Sequence, residues 1–311
     1  MISTFTPNAS VDRTYHVEGL SLGSVNRVEL IKARPGGKGI NVAVIAHSIS
    51  AQEIVVSGFA GGSSGEFIDS SLNAIGIRTD FVWISGDSRS CHSFVQHDPY
   101  ECTEMNELGP EVGAADIHAM MIKAQQIAGH SDICAISGSL PKGCSPYDCA
   151  RLVEVCRSAG AFVILDSSGA PFREALCARP DIVKPNLTEL SQLTGTDLRS
   201  EKEAIDAVAW VSSKWQLPMV VATLGSSGAI VQAQGSVYRV AIPRINVCNT
   251  VGCGDAFVAG LCVGKHRGYA MERWIQFAAA VSLAKAVQAD AGSIDPEDIE
   301  PFLSQVCVTE L

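Results

Sequence analysis

The richest chemistry in this chain lies in Asn249-Thr250-Val251-Gly252-Cys253-Gly254-Asp255, followed by an apolar, small-residue run suited to a helix. A helix N-terminus carries unpaired backbone N–H groups and the positive end of the macrodipole, so it attracts anions. Gly252 and Gly254 let the backbone approach an anion closely. Asp255 would repel that anion, unless it is there to take a proton from a nucleophile attacking a phosphoryl group. The same residues also fit a tight turn in which Asp255 simply favours the dipole of a first helical turn.

A second cluster is Arg34-Pro35-Gly36-Gly37-Lys38-Gly39-Ile40-Asn41, directly before another helix-like segment. It lacks the Gly-x4-Gly-Lys-Ser/Thr spacing of a Walker A loop. It still offers backbone N–H groups, the Lys38 cation and the Asn41 amide to one small polar ligand. No Gly-x-Gly-x-x-Gly follows a predicted strand, which argues against a dinucleotide-binding dehydrogenase.

Elements that would hold these clusters alternate regularly. Predicted strands are 54–59, 133–137, 162–166, 182–184, 219–223 and 229–231. Predicted helices are 39–48, 66–75, 115–128, 146–159, 188–194 and 202–215, and beyond Asp255 the chain reads as helical to its end, with 271–289 the longest segment. Strands separated by helices imply βαβ units and a mainly parallel sheet covered on both faces. Two regions differ. Residues 15–17 with 25–31, and 90–96 with 101–106, alternate with period two, the latter pair joined by a turn at His97-Asp98-Pro99-Tyr100. They predict a small, half-exposed β-lid, spanning about 14–33 and 89–107, on a single domain of residues 1–311. A lid of this kind would shield phosphoryl transfer from water.

Composition narrows the partners. With 23 Lys and Arg against 33 Asp and Glu, the net charge of −10 disfavours nucleic acid and anionic membranes. Phosphorylated ligands must therefore be held by local cations. The eleven cysteines show no Cys-x-x-Cys pair and no zinc spacing with the seven histidines. No apolar run is long enough to span a bilayer, and Met1–Pro7 shows no secretory pattern. The expectation is a protein of the reducing cytoplasm with mostly buried, inert thiols.

Taken together, residues 35–43 and 249–260 resemble the two signatures of the PfkB, or ribokinase-like, carbohydrate kinases. The resemblance covers nearly the whole chain. Asn8-Ala9-Ser10-Val11-Asp12 is similar to the family's first-strand motif, and Ser137–Gly143 and Asp166–Gly169 also match. Asn186-Leu187-Thr188-Glu189 resembles its Asn-x-x-Glu element, and Thr223–Gly228 its nucleotide loop. The resemblance implies a three-layer α/β/α core with a mainly parallel sheet and a small β-sheet lid. It further implies an ATP- and Mg²⁺-dependent kinase with Asp255 as base and the backbone of Gly252, Cys253 and Gly254 as an anion hole.

The residue roles follow from the same resemblance. Asp12, Gly37, Asn41 and Ser139 would orient the sugar. Gly23-Ser24-Val25-Asn26-Arg27 resembles the 1-phosphofructokinase and tagatose-6-phosphate kinase branch, so Arg27, Lys38 and Arg89 would clamp a substrate phosphate. Lys184, Asn186, Thr223, Gly225, Gly228 and Val251 would line the nucleotide, with Ala279 and Ser282 at the adenine. Asn186 and Glu189 would serve the magnesium ion. The leading expectation is phosphorylation of fructose 1-phosphate. Tagatose 6-phosphate or fructose 6-phosphate comes next, then an unphosphorylated sugar or nucleoside, then a sugar-phosphate-binding regulator without catalysis. The lid strands offer a homodimer surface. An Asp of ordinary pKa would suffice as base. Cys253 reads as a tolerated small residue between the glycines, with a thiol acidified by the helix dipole and readily oxidised as the lesser alternative. Asn249 stands where many ribokinases carry an Asp linked to a monovalent-cation site, so no potassium activation is expected.

Overall fold

Alternation of apolar β-branched runs with amphipathic ones builds strands wrapped by helices. A computed structural model describes the chain except for Ala51, Asp98, Pro99 and residues 289–291. The chain begins with β1 (Ile2–Thr6) and leaves the core for β2 (Ser10–His16) and β3 (Glu29–Gly36). It returns through α1 (Lys38–Ile49), β4 (Ile54–Gly61) and α2 (Gly62–Ala74), then β5 (Arg78–Thr79) and β6 (Val82–Ile84). A second excursion forms β7 (Arg89–His97) and β8 (Tyr100–Asn106). Next come α3 (Ala114–Ala128), β9 (Ile133–Ser137), α4 (Pro146–Ser158), β10 (Phe162–Asp166), α5 (Gly169–Ala175) and β11 (Ile182–Val183). Helices α6 (Leu187–Thr194) and α7 (Glu201–Trp215) lead to β12 (Met219–Thr223), β13 (Ala229–Ala233) and β14 (Ser236–Ala241). The last elements are α8 (Cys253–His266), α9 (Met271–Ala286), α10 (Glu300–Leu303) and β15 (Cys307–Glu310).

The central sheet runs β15-β14-β13-β12-β11-β10-β9-β1-β4-β5, with β6 also on β4. Neighbours from β12 to β5 are parallel, whereas β13, β14 and β15 are antiparallel. Period-two side-chain alternation splits the strands between two cores. Ile164 of β10 and Val221 of β12 pack with α1, α8 and α9 on one face. Val163 and Leu165 of β10 and Val220 of β12 pack with α3, α4 and α7 on the other. This is the expected three-layer α/β/α core. No helix among the described residues is long and apolar enough to cross a membrane.

The small sheet is separate and has the order β3-β2-β7-β8. β2 and β7 are parallel at its centre, and β3 and β8 are antiparallel at its edges. Both period-two regions contribute to it, but the expected strand 25–31 is corrected: residues 25–28 are outside any strand, and β3 starts at Glu29 and runs on to Gly36, while β2 reaches back to Ser10. Asp98 and Pro99 of the expected turn lie outside the described residues. Tyr15 stacks on Phe94 and His92 across β2 and β7, with ring centroids 5.3 and 5.7 Å apart.

The helical expectation for the chain's end is corrected in part. Residues 307–310 form β15 and pair with β14, so the chain closes on a strand. Four residues are too few for their alternation to stand out, and the partner β14 was itself unread. Helix α9 ends at Ala286, short of the expected Ala289, which is outside the described residues.

Candidate active site

The C-terminal ends of the parallel strands and the inner face of the small sheet enclose a cleft of about 1320 Å³. Asp255 lies in the first turn of α8 at its floor and is 6 % exposed. Its Oδ2 accepts a hydrogen bond from the Asn41 side-chain N–H at 2.8 Å, which fixes the carboxylate. Burial and then the nearby Asp166 carboxylate raise its pKa to about 7; the Asn41 hydrogen bond, Lys38 and Lys184 pull the other way. An ordinary pKa would suffice for a base here; burial instead places this one near neutral pH, suited to proton acceptance.

Asp166, at the end of β10, is the hub of the surrounding charges. Its Oδ1 lies 3.2 Å from Lys38 Nζ and its Oδ2 3.4 Å from Lys184 Nζ. Both Asp166 and Lys184 are buried. At Lys38, burial opposes the charge, yet Asp166, Asp255 and Glu189 outweigh it and hold the ammonium above its ordinary pKa. A buried charge survives when partners compensate its lost hydration.

Gly252 caps α8 with φ 82°, a left-handed conformation that favours glycine. The turn it makes leads Gly254 and Asp255 into the helix as second and third residues, whose amides have no intrahelical acceptor. The Cys253 amide, expected in the same anion hole, closes onto the Thr250 carbonyl at 3.3 Å. The alternative of an acidified Cys253 thiol is corrected: burial raises its pKa, Lys285 opposes that rise and Asp255 adds to it.

On the small sheet, register places Asn106, Cys91, Asp12 and Arg34 side by side across β8, β7, β2 and β3, facing the cleft. Asp12 Oδ1 accepts from the Ser10 hydroxyl at 2.7 Å, and Arg34 Nη2 lies 4.0 Å from Oδ2. A Cβ on Gly36 would fall 2.1 Å from the Asp12 carboxylate, so glycine is what lets Asp12 lie there. Arg89 is fixed by donating from Nε to the Asn8 carbonyl and from Nη1 to the Glu107 carbonyl, each at 3.2 Å. Gly37, Lys38 and Asn41 also line the cleft. Arg27 and Ser139 are exposed and are not among its lining residues. The Ser139 hydroxyl accepts from the Asn8 amide at 3.3 Å.

The opposite half is lined by Lys184, Asn186, Thr223, Gly225, Gly228 and Val251, with Ala279 and Ser282 from α9. The Ser282 hydroxyl is committed to the Cys253 carbonyl at 2.9 Å, so it holds the loop. Asn186 and Glu189 form a reciprocal capping box on α6, at 2.9 and 2.8 Å. Among the described residues no cluster of three or more His, Cys, Asp or Glu could cage a metal ion. Asn186 lines the cleft, whereas Glu189 is not among its lining residues, so a magnesium ion there would draw its ligands mainly from nucleotide phosphates and water.

A model of the pfkB family of carbohydrate kinases matches residues 6–298. The chain belongs to this family. The pfkB kinase is 32 % identical to a tagatose-6-phosphate kinase of Staphylococcus epidermidis, over 100 % of both chains. It is also similar to a structure from Thermotoga maritima titled a possible 1-phosphofructokinase, with 25 % identity, TM-score 0.90 and coverage of 100 % and 99 %. Phosphofructokinase-2 of Escherichia coli, in a complex with potassium, shares the fold at TM-score 0.91, 23 % identity and 97 % and 98 % coverage. The architecture is thus ribokinase-like, with its separate small sheet.

Among the cleft residues to which the sequence assigned no role are Arg34, Cys91 and Asp166, the first and last quoted only as parts of motifs. Arg34 and Cys91 were detectable through register, since both alternate in phase with the cleft-facing side of their strands. Asp166 ends a parallel strand, where α/β sheets carry their ligands.

Proposed function

We propose that this carbohydrate kinase transfers the γ-phosphoryl group of ATP to a primary hydroxyl of a ketohexose phosphate, with fructose 1-phosphate as first candidate. The observation that carries the reading is Asp255, buried at a helix start, hydrogen-bonded to Asn41 and within the field of Lys38 and Lys184. The hydroxyl oxygen attacks phosphorus, its proton passes to Asp255, and the bond from phosphorus to the ADP oxygen breaks. The Gly254 and Asp255 amides, with Gly252 shaping the turn, stabilise charge on the transferred group. Lys184 neutralises phosphate charge from the cleft side.

Asp12 and Asn41 orient the sugar, and Arg89 with Arg34 holds its phosphate; a neutral sugar would not call for these cations. Magnesium would be bound through Asn186 and Glu189 and would offset the charge of the nucleotide phosphates. The small sheet covers the reacting groups as a lid. Its outer face carries Leu30 and Met105, 47 % and 45 % exposed, apolar area suited to a second copy of the chain.

Full-length likeness to the S. epidermidis relative supports tagatose 6-phosphate as the second reading. Both candidates place a phosphate at one end of a six-carbon chain and the accepting hydroxyl at the other. ADP release measured with fructose 1-phosphate, tagatose 6-phosphate, fructose 6-phosphate, ribose and adenosine tests the proposal. Highest kcat/KM with a ketohexose phosphate is expected; preference for ribose or adenosine, or no ADP release, overturns it.

A further inference from the structure

Among the described residues two lysines are buried, Lys184 and Lys285, at 3 % and 0 % exposure. They flank the two glycines of Gly252-Cys253-Gly254. A Cβ on Gly254 would lie 3.4 Å from Lys184 Nζ, and one on Gly252 would lie 3.5 Å from Lys285 Cε. Lys184 lines the cleft; Lys285 does not, and approaches the loop from the protein side. The catalytic scheme above leaves Lys285 without a role, although an ammonium is among the costliest groups to take out of water.

The last turns of α9 form the bed on which the loop rests. Ser282, one turn before Lys285, donates to the Cys253 carbonyl at 2.9 Å. The carbonyl of Ala286, the next residue, accepts from the amides of Cys248 and Asn249 at 2.9 and 3.2 Å. Lys285 is therefore held on a rigid helix between two points of attachment to residues 248–253. Its charge is felt at the loop, where it opposes the effect of burial on the Cys253 thiol. Charge interactions strengthen in such a water-poor setting.

We propose that Lys285 is a positioning residue for phosphoryl transfer: its buried ammonium, carried by α9 beneath Gly252, is a fixed cation that adds positive potential to the loop receiving the γ-phosphoryl group. This rests on the reading of residues 252–254 as a phosphoryl-binding loop. Lys184 meets the phosphates directly, and Lys285 backs the same loop without touching them.

The test compares the wild type with Lys285→Met, which keeps an unbranched side chain as far as Cε and removes the ammonium, and with Lys285→Gln. Calorimetric titration with ATP and with ADP reads the loop independently of turnover, because only ATP brings a γ-phosphate. The expected result is an ADP affinity within twofold of wild type and an ATP affinity lowered at least fivefold. With it, kcat falls at least tenfold while KM for the sugar phosphate holds. A folded variant whose ATP-to-ADP affinity ratio and kcat match the wild type overturns the proposal. If neither variant folds, the slowly exchanging ¹⁵Nζ signal of a buried lysine in the wild type decides. A shift with β,γ-imido-ATP but not with ADP supports it, and identical spectra overturn it. A wild type that phosphorylates none of the sugars, yet has a Lys285-dependent ATP-to-ADP ratio, removes the kinase reading and leaves Lys285 its role. Turnover with a Lys285-independent ratio does the reverse.

Discussion

Asn41 Nδ2 and Asp255 Oδ2 lie 2.8 Å apart although 214 positions separate them in the chain. This one hydrogen bond ties the first turn of α1, after Gly-Gly-Lys-Gly, to the first turn of α8, after Gly-Cys-Gly. The two helix starts thus share a single carboxylate, the group that the proposed reaction uses to take the proton. Replacing Asp255 with Asn keeps the shape and removes the base. Steady-state kinetics should show kcat lowered at least about 100-fold, with ATP affinity by calorimetry nearly unchanged. Turnover close to wild type would remove Asp255 from the mechanism.

The raised Asp255 pKa sets the pH behaviour. The carboxylate form is required, so kcat/KM should fall about tenfold per pH unit below a midpoint near pH 7. Asp166→Asn removes the like charge and frees Lys38 and Lys184 to favour the carboxylate, so the midpoint should move to lower pH. An unmoved acid limb in a folded, active Asp166→Asn enzyme would refute this coupling.

Stability follows the same proton. The folded pKa of Asp255 is above its unfolded value, so the native state keeps a proton that the unfolded chain releases. Its contribution is whole below about pH 4, is lost as pH rises to about 7, and is then constant. Asp255→Asn should therefore match wild type near pH 4 and exceed it at pH 8 by on the order of 4 kcal/mol, a shift of about three pKa units at about 1.4 kcal/mol each. Chemical denaturation at the two pH values measures it; a difference that grows toward acid contradicts the sign.

Arg89 and Gly36 test the sugar half separately. Arg89→Ala should raise KM for the sugar phosphate about 10- to 100-fold, the scale of a charged hydrogen bond, and leave KM for ATP nearly constant. Gly36→Ala forces the Asp12 carboxylate aside and should raise the sugar KM at least about tenfold, through loss of the same class of contact. Equal effects on both substrates would argue against either assignment.

Cys253 serves as the contrast. Its thiol is half-buried with a raised pKa, so Cys253→Ala should keep kcat within about threefold of wild type and iodoacetamide at pH 7 should react slowly. Strong loss of turnover in Cys253→Ala, or rapid inactivation, would give the thiol a part in the reaction.

The sequence exposed what is locally periodic or glycine-marked. Phe162–Asp166 and Met219–Thr223 were read to the residue because unbroken apolar runs between helices have one reading in a covered sheet. Gly-Gly-Lys-Gly and Gly-Cys-Gly-Asp were legible because glycine, charge and a following helix coincide. Terms that depend on distant neighbours were hidden. The pKa of Asp255 needs Asp166 and burial, the direction of the Cys253 shift needs desolvation, and Arg27 needs a three-dimensional path that leaves it outside the cleft. Lys285 reads as one more helix lysine until α9 is seen beneath the loop.

One consequence remains in the way the small sheet is attached. β2 begins at Ser10, β3 ends at Gly36, β7 begins at Arg89 and β8 ends at Asn106, and register aligns Ser10 with both Gly36 and Arg89. All four strands are therefore tethered to the core along one line, like the leaf of a door. Swinging about that line leaves Asp12 and Arg89 almost still and carries the far end through the widest arc. The next row outward, Thr14, Ser93 and Glu104, also lines the cleft but sits farther from that line, so the same swing moves it more than Asp12 and Arg89.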